Sequence, residues 1–310
     1  MSAVEVWRGG VNTWECDEMG HLNVRFYVAR AMEGLAGLAA ELGMPQAFCA
    51  TAASTLLLRE LHIRFLREAR PGAALHMTGG VISLAENEAW VLLELLHTRS
   101  NQPAATFQLR VAHVTPRDVR PFAWPRRVRE HAEALLVDVP PHAATRSVSL
   151  EPVESLASLE RADALGLKRT GRGVLSPAEC DVFGRMRPEI FMGRISDGVG
   201  LLVEPIREAL LASLGEAAPA RLGGAALENR LIYLGWPRAG DQIMLRSGLA
   251  GVDGRTQRLV HWLLDPVTGA PWATTEAVAT NFDLDARKIV PITEAARAAI
   301  SPLVVEGLTL

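Results

Sequence analysis

The stretch WECDEMGHLNVRFYVARAMEGLAGL, which begins at Trp14, returns later in the chain as AECDVFGRMRPEIFMGRISDGVGLL, which begins at Ala178. The two segments align without a gap at an offset of 178 − 14 = 164 residues and share the Glu-Cys-Asp triplet. A second pair of blocks follows in the same order, RELHIRFLREARPGAAL from Arg59 and LENRLIYLGWPRAGDQI from Leu227. Two matching blocks with apolar patterns in phase indicate a tandem duplication of one unit.

The composition fits two domains of ordinary size. The chain has 310 residues, of which 49% are apolar, so each half can bury a core. The net charge is −3, with both signs mixed along the chain, which argues against a nucleic-acid partner. The three cysteines form no disulfide framework and favour a reducing compartment. With no leader and no membrane-spanning apolar run in the sequence, we expect a cytoplasmic protein without a membrane partner.

Each copy is predicted to contain a short strand, a long helix and an antiparallel meander, which is an α+β fold. The short strands are expected at 11–15 and 174–179. Apolar residues at helical spacing predict one helix over 23–42 and another from Pro188 into the 210s. After the first helix the period becomes that of strands, and four strands are predicted over 56–66, 73–84, 89–98 and 104–114.

The same pattern suggests where the domains end. We expect a first domain over residues 1–130 and a second over residues 171–310. The proline-containing segment 131–170 between them is expected to be a linker, with a short helix between Ser155 and Leu165. One apolar helix face in each domain suits coverage by a curved sheet.

The residues from Asp17 to Tyr27, DEMGHLNVRFY, resemble the signature of the hotdog-fold thioesterases, most closely the 4-hydroxybenzoyl-CoA thioesterase type. The turn Arg70-Pro71-Gly72 is also typical of that family. The resemblance implies two tandem hotdog domains, each a long central helix wrapped by an antiparallel sheet, paired as an intramolecular pseudo-dimer. It further implies hydrolysis of an acyl-CoA thioester without a cofactor, and it is compatible with a homodimer of such double chains.

By this resemblance, Asp17 is the catalytic carboxylate, and an amide near Val24 contacts the thioester oxygen. A carboxylate can attack a carbonyl as nucleophile or activate water as general base. The N–H groups at a helix N-terminus can stabilise the oxyanion, aided by the helix dipole. An aspartate in a glycine-containing loop is also a common turn residue, so the residue type alone does not decide its role.

Other residues near the signature have two interpretations each. His21 either positions the substrate or water, or caps the loop. Asn23 belongs to the expected catalytic segment, but its type favours an N-cap role. Tyr27 either lines the cleft or packs in the core. Glu60 and Glu228 are taken to stand at the start of equivalent strands. They either approach a cleft or form a salt bridge or an exposed strand end, and the salt bridge or exposed strand end is favoured.

The second copy departs from the signature. Its loop carries Arg185 and Arg187 in place of the histidine and the asparagine, and Pro188 stands at the helix start. Proline has no N–H, so the expected oxyanion donor is missing at that position. The two arginines either pair with Asp181 or bind a phosphate of CoA. We therefore expect unequal sites, with catalysis at Asp17 and an Asp181 site that is impaired or repurposed for binding. The alternative is that Pro188 is only a good helix-starting residue and another amide binds the oxygen.

Two other classes of function compete with hydrolysis. One is a non-hydrolytic acyl-CoA-binding or regulatory module on the same fold. The other is an enoyl-CoA hydratase, which resembles a different signature with a histidine five residues after the aspartate; here the spacing from Asp17 to His21 is four. The sequence shows no Gly-x-Ser-x-Gly elbow, phosphate loop or dinucleotide fingerprint, and its eight histidines have no metal-ligand spacing.

Overall fold

The computed structural model describes residues 3–310, and the chain divides into two units. The first unit contains the chain up to Thr145 together with Pro177–Met192. The second contains Arg146–Ser176 and Gly193–Leu310. The loop that carries Asp181 therefore belongs to the unit that is built mainly from the first copy.

The first unit is an antiparallel sheet with one long helix packed on it. Its helix α1 contacts β1, β3 and β4, and the strands lie in the order β1-β3-β4-β5-β2. The predicted helix and four following strands are confirmed. In chain order the elements are β1 (Val4–Gly10), α1 (Val24–Glu41), β2 (Thr55–Phe65), β3 (Ala74–Leu84), β4 (Glu88–His97), β5 (Gln102–Val114) and the short helix α2 (Arg126–Ala134).

The second unit repeats this plan. Its strands lie in the order β6-β8-β9-β10-β7, which matches the first unit strand for strand, and β11 pairs with β10. The duplication and the α+β prediction are confirmed by this shared order. The elements of the second copy are α3 (Leu159–Ala164), β6 (Lys168–Val174), α4 (Pro188–Leu214), β7 (Leu222–Tyr233), β8 (Gln242–Val252), β9 (Thr256–Leu264), β10 (Pro271–Asp283), β11 (Lys288–Ile289) and α5 (Glu294–Ile300). The residues of α4 up to Met192 belong to the first unit, and the rest of the helix belongs to the second.

The core of the second unit joins its long helix to the sheet. Leu202, Ile206 and Leu210 of α4 are buried against Leu249 of β8 and Leu259 of β9. Their spacing of four residues places them on one helix face, as the apolar period of the sequence predicted. Within residues 3–310, no helix combines the length and the apolar character needed to cross a membrane.

The two short strands predicted next to the loops were placed wrongly. The first strand ends at Gly10, and Thr13–Glu15 forms a single 3-10 turn. The cause is local hydrogen bonding: the Asn12 amide donates to Glu15 Oε2 at 2.9 Å in a capping box, which competes with a strand ladder. In the second copy Pro177–Glu179 forms the same turn, and the strand again lies before it.

Glycine lets each long helix lie directly on the first strand of its copy. A Cβ on Gly37 would stand 2.1 Å from the Val6 carbonyl oxygen, and one on Gly198 would stand 2.3 Å from the Thr170 oxygen. The duplicated register pairs Gly198 with Gly34 rather than with Gly37. The two helices therefore touch their strands about one turn apart.

A buried polar trio distinguishes the second unit from the first. Ser247 Oγ lies 2.7 Å from Thr170 Oγ1 and 2.8 Å from His261 Nδ1. At the equivalent positions the first copy has a valine, a glycine and a leucine. Burial lowers the pKa of His261 to about 4, so the ring is neutral in the folded protein at neutral pH.

This buried histidine predicts a loss of stability in mild acid. An unfolded histidine takes up a proton near its ordinary pKa of 6.5, whereas the folded His261 resists protonation until about pH 4. Protons therefore favour the unfolded state in this window, by up to about 3 kcal/mol for a shift of this size. Replacing His261 by glutamine keeps a hydrogen-bonding side chain but removes this titration.

Urea denaturation of the wild type and of His261→Gln at several pH values between 7 and 4 measures the effect. The wild type should lose more unfolding free energy than the variant over this range. His113, whose pKa is also lowered by burial, titrates in both proteins and cancels in the comparison. Equal pH dependence of the two proteins would show that His261 protonation does not contribute.

Candidate functional site

The loop that carries Asp17 is closed by its own backbone. Cys16 and Leu22 form an isolated antiparallel bridge, and the Asp17 amide donates to the His21 carbonyl at 2.9 Å. The Gly20 amide donates back to the Asp17 carbonyl at 3.0 Å, and Gly20 has a φ of 78°, in the left-handed region that favours glycine. These backbone hydrogen bonds therefore define the shape of the loop.

The two carboxylate oxygens of Asp17 have different surroundings. Oδ1 accepts hydrogen bonds from the amides of Met19 at 3.0 Å and His21 at 3.1 Å. No group within residues 3–310 donates a hydrogen bond to Oδ2. The side chain is half-buried. Asp17 is thus fixed through one oxygen, and the other accepts no hydrogen bond from the described residues.

The helix that follows offers an unused amide. Asn23 is the N-cap of α1, as predicted, and its Oδ1 accepts the Arg25 amide at 2.9 Å. Val24 is the first residue of the helix, and its N–H meets no acceptor in the described part of the chain. The positive end of the helix dipole adds to the attraction of this amide for a negatively charged oxygen.

His21 contacts a carboxylate that the sequence reasoning missed. Its Nε2 lies 3.2 Å from Glu68 Oε2, and the His21 side chain is only 14% exposed. Glu68 lies in the segment after β2, just before the Pro-Gly turn, and no local motif marks it. The contact with Glu68 fixes the orientation of the His21 ring.

Tyr27 packs as a core aromatic, which was one of its two interpretations. Its ring meets Phe65 edge-on with centroids 5.2 Å apart, and the residue is 5% exposed. Burial raises the pKa of the Tyr27 hydroxyl well above its ordinary value, so the group stays protonated. Tyr27 therefore packs the first turn of α1 against Phe65 of β2.

Cys16 lies beside Asp17 but is a poor nucleophile. Burial, and then the charges of Asp17 and Glu15, raise the pKa of its thiol. Its Sγ lies 3.4 Å from the Asn12 carbonyl oxygen, which it can donate to. Because the thiolate is the reactive form, the local environment disfavours chemistry at this cysteine.

The loop of the second copy has the same backbone. The Asp181 amide donates to the Arg185 carbonyl at 2.6 Å, and Gly184 donates to the Asp181 carbonyl at 3.0 Å. Gly184 again has a φ of 78°. Asp181 Oδ1 accepts the amides of Phe183 and Arg185, each at 2.9 Å. The duplication has preserved the loop in hydrogen-bonding detail.

The two loops differ in the surroundings of the Oδ2 atom of the aspartate. Asp181 Oδ2 lies 3.0 Å from both Nε and Nη2 of Arg185. Arg185 is 3% exposed, and its guanidinium carbon lies 4.8 Å from the centre of the Phe183 ring. Of the two predicted alternatives, Arg185 thus takes the pairing with Asp181. The oxygen that is free in the first loop is occupied in the second, and Pro188 supplies no amide.

Arg187 has other contacts. Its Nε lies 3.2 Å from Glu189 Oε1, and its Nη2 donates to the Ala178 carbonyl at 3.2 Å. Within residues 3–310, no group of three or more His, Cys, Asp and Glu side chains is placed to hold a metal ion.

The placement of Glu60 and Glu228 at strand starts was wrong, because both lie inside strands. Pairing of β2 already begins at Thr55, and pairing of β7 at Leu222. Glu60 is buried with Arg110 Nε 3.6 Å away, so of the two favoured alternatives the salt bridge is present and the exposed strand end is not.

Glu228 makes different contacts from Glu60. Its carboxylate accepts the backbone amides of Arg146 at 2.9 Å and Ser147 at 2.7 Å. It therefore fixes the segment between the two copies, a role that no local sequence pattern indicated.

The difference between the loops predicts unequal effects of the two Asp→Asn variants on stability. Asp181→Asn removes the charge that pairs with a buried guanidinium, and we expect it to lower the unfolding free energy by about 1–3 kcal/mol. Asp17→Asn keeps an Oδ1 acceptor and removes no cationic partner, so its effect should lie within about 0.5 kcal/mol. Urea denaturation of both variants tests this. A larger loss from Asp17→Asn would contradict the assigned contacts.

Comparison with known proteins gives a family and a fold. The sequence matches the family model of the thioesterase-like superfamily over residues 11–134 and again over residues 175–300. A comparison with curated protein sequences found no significant match.

Among solved structures, a protein assigned as an oleoyl thioesterase from Lactobacillus plantarum aligns with a TM-score of 0.65 at 9% identity, over 90% of this chain and 96% of that chain. An acyl-ACP thioesterase from Bacteroides thetaiotaomicron aligns with a TM-score of 0.62 at 10% identity, over 88% and 96%. The 12:0-ACP thioesterase from Umbellularia californica aligns with a TM-score of 0.62 at 11% identity, over 88% and 92%. At these identities the likeness shows a shared fold.

The two family matches start at residues 11 and 175, so they share the offset of the duplicated loops. They confirm the hotdog resemblance in both copies and, at the level of the family, the expectation of a thioester hydrolase. The chain belongs to the thioesterase-like superfamily, as a tandem member with two hotdog domains.

Proposed function

We propose that the chain hydrolyses an acyl-CoA thioester to the free acid and CoA, with Asp17 as the group that acts on the thioester carbonyl. The observation that carries the proposal is the difference between the two carboxylate oxygens of Asp17. Asp17 Oδ1 is held by two loop amides, and Oδ2 has no donor within the described residues. A carboxylate oxygen that is oriented but unoccupied is what a nucleophile or general base requires.

The chemistry follows from this arrangement in either of two ways. Asp17 Oδ2 can take a proton from water, whose oxygen then adds to the carbonyl carbon. Alternatively, Oδ2 adds to the carbonyl carbon itself, and water hydrolyses the resulting acyl–Asp17 anhydride. In both routes the C–S bond breaks, the CoA sulfur leaves and ends as a thiol, and the acyl group gains one oxygen from water.

The Val24 amide is proposed to bind the oxyanion that forms on the way. It is the first N–H of α1 and has no acceptor within residues 3–310. Donors aimed at the developing charge contribute strongly to such reactions, by about 10²- to 10³-fold for one donor. His21, held by Glu68, is proposed to position the loop and the attacking water.

A carrier-protein thioester is the second candidate substrate. Two of the solved structures with the same fold are described as an acyl-ACP thioesterase and a 12:0-ACP thioesterase. The catalytic groups act on the thioester carbonyl alone, so they suit either carrier. We place the reaction in the cytoplasm, since the three cysteines Cys16, Cys49 and Cys180 are all free.

Release of free thiol from short, long and aromatic acyl-CoAs, and from acyl-ACP, tests the activity. The wild type should turn over at least one substrate, and Asp17→Asn should be slower by about 10²- to 10⁴-fold, as expected for loss of an acid–base group. Binding of acyl-CoA without thiol release would instead identify a non-hydrolytic binding module. Addition of water to an enoyl-CoA without thiol release would identify a hydratase.

The inequality of the two loops predicts a second result in the same assay. Asp181→Asn should retain most of the wild-type turnover, because Arg185 already occupies the oxygen that would react. The two variants make the same chemical change at equivalent positions, so each is the control for the other. Equal losses of activity from both would contradict the assignment of catalysis to Asp17.

A further inference from the structure

A small pocket opens between β6 and α4 in the second unit. Its volume is about 100 Å³. The strand glycines Gly171 and Gly173 leave the space because they have no side chains. The buried side chains of Ile243 and Leu245 form the floor, and the charged side chains of Arg194 and Asp197 lie at the side and rim. None of these residues belongs to the proposed catalytic machinery.

In the first copy the equivalent space holds an aromatic ring. Trp7 pairs with Met77 in the sheet at the position where Gly171 pairs with Leu245. The indole lies over Gly9, with its Cζ2 atom 2.5 Å from where a Cβ on that glycine would stand. The Arg30 guanidinium carbon lies 5.2 Å from the centre of the ring, which is a cation–π contact.

The second copy keeps these surroundings and lacks the ring. Gly173 stands at the position of Gly9, and Arg194 at that of Arg30. Arg194 Nη1 lies 3.6 Å from where a Cβ on Gly173 would stand, so the guanidinium forms one wall of the pocket. Ile243 and Leu245 are 3% and 1% exposed and give the floor an apolar surface that favours a ring over water.

We infer that this pocket binds the planar aromatic ring of a small ligand, stacked against Arg194 in the place that Trp7 fills in the first copy. An enclosed cavity of about 150 Å³ binds benzene in another protein. This pocket is smaller, at about 100 Å³, but its rim is exposed, so one edge of a ring and the rest of the ligand can lie outside it. The exposed rim also gives the ligand a path of entry.

Titration of the full chain with 5-fluoroindole, followed by ¹⁹F NMR, tests the site. The wild type should show one saturable site. Gly171→Trp should fill the pocket and weaken binding at least tenfold. Trp7→Gly should open the equivalent space in the first copy and add a second site. Indole should displace the probe, and cyclohexanol, which has no aromatic face, should not.

Arg194→Met keeps much of the bulk of the side chain and removes the cation, so it should weaken binding about two- to fivefold. This variant is needed because a Cβ on Gly171 would stand 3.2 Å from Leu245 Cβ, so Gly171→Trp requires that side chain to shift. If circular dichroism shows that Gly171→Trp is unfolded, Arg194→Met decides.

Absence of binding to the wild type would overturn the inference, as would binding that survives Gly171→Trp in a folded variant. Unchanged affinity in Arg194→Met, or displacement by cyclohexanol as effective as displacement by indole, would also overturn it. Loss of binding in Gly171→Trp together with a second site in Trp7→Gly would establish it.

Discussion

In both copies, an aspartate accepts two backbone amides of its own loop through one carboxylate oxygen. These two hydrogen bonds fix the side chain. Whether the other carboxylate oxygen has a partner differs between the copies, together with the residue four positions later. In the first copy that residue is His21, which turns to Glu68. In the second copy it is Arg185, and the residue equivalent to Glu68 is Trp236, which stacks on Tyr233. The Arg185 guanidinium pairs with the aspartate of its own loop.

Away from the loops, too, the two copies share their backbone arrangement and differ in their side chains. The strand order is identical in the two units, so the backbone pairing has been kept through the duplication. The side chains on this frame differ. The second copy has the Thr170, Ser247 and His261 trio where the first has an apolar trio, and the space above Gly171 where the first has an indole. The two copies therefore share their backbone pairing and differ in the side chains placed on it.

The sequence predicted the elements whose signals are local. The long helices and the meander have periods that extend over ten or more residues, and Asn23 is a local capping signal. The pairing of Asp181 with Arg185 was foreseen as one of two alternatives, since both residues lie in one loop. The short first strands were misplaced because β1 is defined by pairing with β3, some seventy residues on, while the residues next to the loop satisfy themselves in a capping box. The contact of His21 with Glu68 joins distant residues, and no local pattern predicts it.

The most direct test of the central claim is a crystal structure of Asp17→Asn with a bound acyl-CoA substrate. Asparagine can keep the Oδ1 contacts of the loop while slowing turnover, so the thioester should remain intact. The mechanism predicts the thioester carbonyl oxygen within hydrogen-bonding distance of the Val24 amide, and the carbonyl carbon next to the side-chain atom that replaces Asp17 Oδ2. A thioester bound with its carbonyl away from both groups would contradict the assignment of catalysis to the Asp17 loop.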